Sequence, residues 1–153
     1  VMGKNFSYSY TDIIGHWAKD YIAHCDELGI VSGPGDGTFS PDGNVAGVEA
    51  AKMLLVAIGY DATIEGFTGS TWADAVTDYA NQKNLFYGLN SFDASTALTR
   101  DTAAQMIYNS LSAVMVTYEY KITSVDGVLQ SEAIVMDKAN GDTLLSEKFN
   151  ITK

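Results

Sequence analysis

Apolar residues recur at helical spacing along the first two thirds of the chain and at alternate positions in the last third. Trp17, Tyr21, Cys25 and Leu28 fall at i, i+4, i+8 and i+11, one stripe of a 3.6-residue period, while Lys19, Asp20, Asp26 and Glu27 lie off it. The pattern predicts a helix over about residues 16–28 that buries this stripe and ends at Gly29. Over residues 48–58, Ala50, Ala51, Met53, Leu54, Leu55, Val56, Ala57 and Ile58 are apolar nearly all round. That predicts a central helix enclosed by neighbours and stopped by Gly59. From Val114 the period becomes two, with Val114, Val116, Tyr118, Tyr120 and Ile122 alternating with Met115, Thr117, Glu119, Lys121 and Thr123. Asp126-Gly127 and Asn140-Gly141 are hairpin turn pairs, so strands near 128–136 and 144–151 complete a predicted three-stranded meander. So small a sheet is marginal alone; it either packs on the helices or opens a following β domain. Residues 1–10 are polar and aromatic with no assignable period.

The loop between the first two helices, residues 29–43, is rich in turn formers. Gly33, Gly35 and Gly37 permit positive φ, Pro34 and Pro41 fix φ locally, and Asp36-Gly37 is a turn pair. Ile30, Val31 and Phe39 are expected to pin this loop against the helices. The arrangement then recurs. Residues 72–88 have the spacing of 17–33, with Trp72 matching Trp17, Ala73 matching Ala18, Leu85 matching Ile30 and Phe86 matching Val31. After a slightly shorter loop, Ala103, Ala104, Met106, Ile107 and Leu111 match Ala50, Ala51, Met53, Leu54 and Ile58. A helix-loop-helix unit is therefore read twice, at about 6–60 and 66–113, and stacking the two second helices gives a shared core. The expected fold is mainly α, two such units over residues 1–113 followed by a small antiparallel β segment over 114–153, α+β overall.

Charge narrows the chemistry. Nineteen acids against nine bases give a net charge of −10 in 153 residues, which repels polyphosphate and argues against nucleic acid as a partner. No apolar run approaches the roughly 20 residues of a membrane-spanning helix. Eight of the nine bases are lysine, so Arg100 is the only arginine. Cys25 is the only cysteine, which excludes an internal disulfide and predicts a buried structural thiol. The chain begins at Val1 rather than methionine, as expected if a leader has been removed. No nucleophile elbow or HExxH motif is present, and no enzyme activity or cofactor is expected. His16 and His24 stand eight apart with no third zinc ligand in reach. Asp36 and Asp42 do not fit a twelve-residue calcium loop, so no metal is expected.

Asp12 before the first helix, the HWA start at His16, the GIVSG exit, the GDGTF-x-P loop and the AAKML second helix together resemble an S-layer homology (SLH) repeat. Residues 72–111, with LTRDTAAQMIYNSL at the second helix, are similar to a second, more diverged repeat. The resemblance implies a cell-surface anchoring module that binds secondary cell-wall polysaccharide, attached to peptidoglycan, non-covalently. It implies a secreted surface protein at the cell wall of a Gram-positive-type bacterium, and usually three repeats around a helical bundle, of which two are visible.

The family's T-R-A-E tetrad opens the second helix. Thr and Glu make a capping box, and the arginine projects where helix-end donors and a guanidinium fork can hold an anion. The tetrad positions hold Ala46, Gly47, Val48 and Glu49 in the first unit and Thr99, Arg100, Asp101 and Thr102 in the second. The resemblance thus implies a glycan site built on Arg100 and Thr99, with Asp12, Trp17, Gly33 and Trp72 shaping its groove. Each has a plainer reading: Arg100 paired with Asp101 or another carboxylate, Trp17 and Trp72 packed in the core, Asp12 bracing the loop. The alternative function is a structural or self-assembly module of a surface layer, packed against other surface-layer subunits, with no glycan site.

Overall fold

The computed structural model describes residues 9–151, so most of the unassigned N-terminal stretch lies outside the described residues. In chain order the elements are α1 (Lys19–Glu27), α2 (Gly47–Ala57), α3 (Trp72–Gln82), α4 (Arg100–Ser112), β1 (Val116–Val125), β2 (Val128–Asp137) and α5 (Leu144–Phe149). The fold is α+β.

Helix α2 is the axis, as its near-continuous apolar surface requires. Ala51, Leu55 and Ile58 are fully buried, and α2 packs on both α3 and α4. Val76 and Ala80 of α3, Leu85, Met106 of α4, and Tyr60 and Phe67 of the connection complete the core. Helix-loop-helix geometry occurs twice with the same local details. After α1, Gly29 takes φ 69° and the Ile30 N–H donates to the Cys25 carbonyl at 2.9 Å; after α3, Asn84 takes φ 57° and the Leu85 N–H donates to the Ala80 carbonyl at 2.9 Å. In the loops that follow, Asp36 accepts from the Thr38 N–H and hydroxyl, and Asp93 accepts likewise from Ser95.

Two expectations are corrected. The stripe of Trp17, Tyr21, Cys25 and Leu28 is not the buried face of α1. Trp17 is 81% and Tyr21 59% exposed, Leu28 is exposed, and Cys25 is only half-buried, though burial still pushes its thiol pKa up. Ile22 and Ala23 are buried instead, as is Ile13 just before the helix. Periodicity reports that a stripe exists, not which segment supplies its partner, and the packing surfaces of α2 are taken by α3 and α4.

The predicted third strand is helix α5. Its Thr143 hydroxyl accepts from the Ser146 N–H at 3.3 Å while the Thr143 N–H donates to the Ser146 hydroxyl at 2.9 Å, a reciprocal cap that favours a helical turn. Asn150, at φ 53°, ends it. The sheet is therefore a two-stranded hairpin closed by Val125 opposite Val128 around Asp126-Gly127.

The hairpin is fastened to the helices at its base. Ala113, Met115 and Val116 are buried, and the Val116 N–H donates to the Ile58 carbonyl at 2.9 Å. Gly59 makes that approach possible: at φ 114°, a Cβ there would meet the Val116 carbonyl oxygen at 2.5 Å. Farther out, the hydroxyls of Tyr79 and Tyr118 both donate to the Glu65 carboxylate, and the Tyr118 oxygen accepts the Asp61 N–H at 2.9 Å. This knot ties β1, α3 and the α2–α3 connection together.

The hydrogen bond to Glu65, followed by burial, raises the Tyr79 pKa to about 12. A pKa raised on folding gives stability that is complete below the unfolded value of about 10 and is lost as pH climbs through the folded value. Tyr79→Phe should therefore cost about 1 kcal/mol at pH 8, and its deficit against the parent should shrink between about pH 10 and 12. Thermal midpoints followed by circular dichroism across that range check this; a constant deficit would mean that the bond contributes nothing that titrates.

Candidate functional site

A groove of about 540 Å³ opens between the 30–45 loop, the first turns of α2 and Trp72 at the start of α3. Its wall is built from the loop inward. The Tyr10 hydroxyl donates to Asp26 of α1 at 2.6 Å and accepts the Gly33 N–H at 2.9 Å, while its ring lies 5.3 Å from that of Phe39. Glycine is required at 33 because a Cβ would meet the Thr38 carbonyl oxygen at 2.1 Å and the Tyr10 ring at 2.7 Å. Behind the loop the Asp12 carboxylate accepts the N–H groups of Phe39 and Ser40 at 2.9 and 2.7 Å. Those bonds, the one from Ser40 foremost, hold its pKa below the usual carboxylate value. Asp36 bonds Thr38 and Asp42 faces His16 at 3.3 Å, so both loop acids have local partners.

The floor carries the charge. Lys52 of α2 places its Nζ 5.6 Å from the Trp72 ring centroid, over an indole that is half-buried rather than fully packed away. Lys52 has no carboxylate partner among the described residues. Glu49, the other ionisable group on the wall, already accepts the Ala46 N–H at 2.7 Å. The groove thus offers an ammonium and an aromatic face in a chain of net charge −10.

The starts of α2 and α4 divide a capping box between them. Helix α2 keeps only the acid half, since Ala46 has no side-chain acceptor; α4 keeps the hydroxyl half, with Thr99 accepting the Thr102 N–H at 3.1 Å. The first donors of α2 are satisfied from the other unit. The Gly47 N–H donates to the Thr96 carbonyl at 3.1 Å and the Val48 N–H to the Ala94 carbonyl at 2.8 Å. Gly47 is also buried under Phe92, whose Cζ a Cβ would meet at 2.4 Å. Where the resembled family carries arginine, this chain carries a close contact with the 92–96 loop that takes up the Gly47 and Val48 N–H groups.

Of the residues singled out from sequence, Gly33 and Trp72 line one groove, and Asp12 braces its loop from behind. Thr99 lines a smaller cleft of about 330 Å³ around the 88–102 loop. Arg100, the first residue of α4, is exposed and has no hydrogen-bond or ion-pair partner among the described residues, so the plain pairing with Asp101 is not formed. It lies outside the groove but close along the backbone, since the Leu98 N–H donates to the carbonyl of Val45, a groove residue, at 2.8 Å. Trp17 is not in the groove; its ring faces His16 at 5.6 Å and is otherwise open, so core packing does not describe it. Lys52 was not anticipated. The available signal was that it is the only charged residue between Glu49 and Asp61.

Residues 9–51 match the family model of the S-layer homology domain. Over 98% of its length the chain is 25% identical to the S-layer protein sap of Bacillus anthracis, covering 21% of that protein. It is 27% identical to the middle cell wall protein of Brevibacillus brevis over 69% of the chain and 10% of that protein. A shorter stretch, 37% of the chain, is 34% identical to an uncharacterized cell wall amidase of Bacillus anthracis and covers 10% of it. The chain thus spans about a fifth or less of these relatives, and no solved structure matches it.

The Gly47 contact predicts that an arginine at this position does harm. Gly47→Ala should cost about 1–3 kcal/mol through overpacking against Phe92, and Gly47→Arg at least as much. Urea unfolding measures this directly, and an unchanged midpoint for Gly47→Arg would show that Phe92 yields its place freely.

Proposed function

We propose that this chain, which carries an S-layer homology domain, is a cell-surface anchoring module that holds a larger secreted protein to the wall by binding secondary cell-wall polysaccharide non-covalently. The observation that carries the reading is the groove between the Gly33 loop and Trp72, where an indole face stands with the ammonium of Lys52, which has no carboxylate partner among the described residues. A sugar ring stacks its apolar face on the indole, and an acidic substituent meets the ammonium. The polymer continues past the joined approaches to α2 and α4, where Arg100 engages a second anionic group and Thr99 orders the helix end. Asp12 holds the loop in place, and Trp17 is an exposed indole for a longer chain of sugars. Residues 66–113 act as a second, diverged SLH unit; the matched loop geometry around Asp36 and Asp93 supports this. The module binds and is not catalytic.

One observation favours a second reading. Ile14, Trp17, Tyr21 and Leu28 leave an apolar face on and before α1 uncovered among the described residues, as expected of a lattice subunit that packs against other surface-layer subunits. Sedimentation velocity against concentration separates the two, since a lattice subunit self-associates and an anchor remains monomeric.

The anchor reading predicts that the chain pellets with Gram-positive cell walls, and that removing the secondary polymer chemically abolishes pelleting. Trp72→Ala should weaken it by about tenfold or more and Arg100→Ala by less, with added salt weakening the parent. Pelleting indifferent to polymer removal, or to both variants, would overturn the assignment.

A further inference from the structure

A second cleft, of about 560 Å³, lies at the other end of α4, between the last turn of α3, the last turns of α4 and the base of the hairpin. Trp72 of the groove and Gln82 of this cleft stand at opposite ends of the 11-residue α3, about 15 Å apart along its axis, and the two linings share no residue, so this cleft is separate from the groove. Its volume lies within the roughly 300–1,000 Å³ of small-ligand sites. We infer that it binds a neutral oligosaccharide, an activity independent of the anionic polymer site.

Three features point to that chemistry. The rings of Tyr87 and Tyr108 stand at the cleft 75% and 68% exposed, two large apolar faces left in water rather than folded inward. Polar groups surround them unengaged: the Gln82 and Asn84 amides, the Ser112 hydroxyl and both phenols have no hydrogen-bond partner among the described residues. Together they supply donors and acceptors in one place, as the hydroxyls of a sugar need. The cleft's ammonium, by contrast, is already neutralised. Lys83 bonds the Asp137 carboxylate and donates to the Val114 carbonyl at 2.9 Å, so an anion would find no unpaired cation there.

The cleft is also held in shape. The Asn109 amide donates to the carbonyls of Leu85 and Tyr87 at 2.9 and 2.8 Å, and Gln105 donates to the Asn109 oxygen at 2.9 Å. These bonds fix the backbone that carries Tyr87 against α4. Asn84 is held at φ 57° by the end of α3. A preformed wall of this kind lowers the ordering cost of binding.

Amide NMR of the whole chain titrated with cellohexaose and with chitohexaose tests the assignment. Shifts should gather at residues 82–87 and 108–114, persist at high salt and survive Trp72→Ala, which removes the other groove. Tyr87→Ala combined with Tyr108→Ala should weaken binding by about tenfold or more, and Gln82→Ala by less. All three side chains are exposed, so the thermal midpoint of each variant should hold within a few degrees, which separates lost binding from lost folding. No shifts with either sugar, shifts clustered at Trp72, or affinity untouched in the double tyrosine variant would each overturn the inference. Loss of wall pelleting in Trp72→Ala alone would bear on the anchor reading and leave this one standing.

Discussion

The close seating of the α2 N-terminus against the loop of the second helical pair is the constraint on which the rest of the structure depends. Gly47 and Val48 donate their N–H groups to carbonyls of that loop, Val45 accepts from Leu98, and Phe92 lies where any Cβ at position 47 would be. A helix start normally leaves such donors to a side-chain cap or to water. Here the neighbouring unit supplies the acceptors, so α2 tolerates Ala46 at its cap position, and the two units are joined through backbone as well as apolar contact.

That junction shapes the chemistry on either side of it. At α2 it takes up the Gly47 and Val48 N–H groups, and positive charge on the groove comes from Lys52 farther along the helix. At α4 the helix start has Thr99 as its cap and, beside it, Arg100 without a partner among the described residues. The two cations therefore occupy different positions relative to their helices although the helices themselves correspond. The same junction settles the core: with α3 and α4 on α2, the stripe of α1 finds no place inside, and α1 is held through Tyr10 and Asp26 rather than by helix packing.

The hairpin shows how tertiary context selects among local options. Its first strand follows the alternation of Val116, Tyr118 and Tyr120, but only the base is buried; Tyr120, Ile122 and Leu129 project into solvent. Two strands alone would be marginal. The Glu65 bridge to Tyr79 and Tyr118, with the Lys83 bond to Asp137, supplies the attachment.

By itself the sequence determined the α+β class, the positions of four helices to within a few residues, the first hairpin turn and the resemblance carried by the 12–55 stretch. All of these rest on local periodicity, caps and turn residues, which act over a few residues. Tertiary structure decided the rest. Which face of α1 is buried and why residue 47 must be glycine depend on what lies across the contact. So does the meeting of Lys52 with Trp72, two residues twenty apart whose approach is set by the packing of α2 on α3. Patterns along a chain record what each segment can do, and only packing chooses the partner.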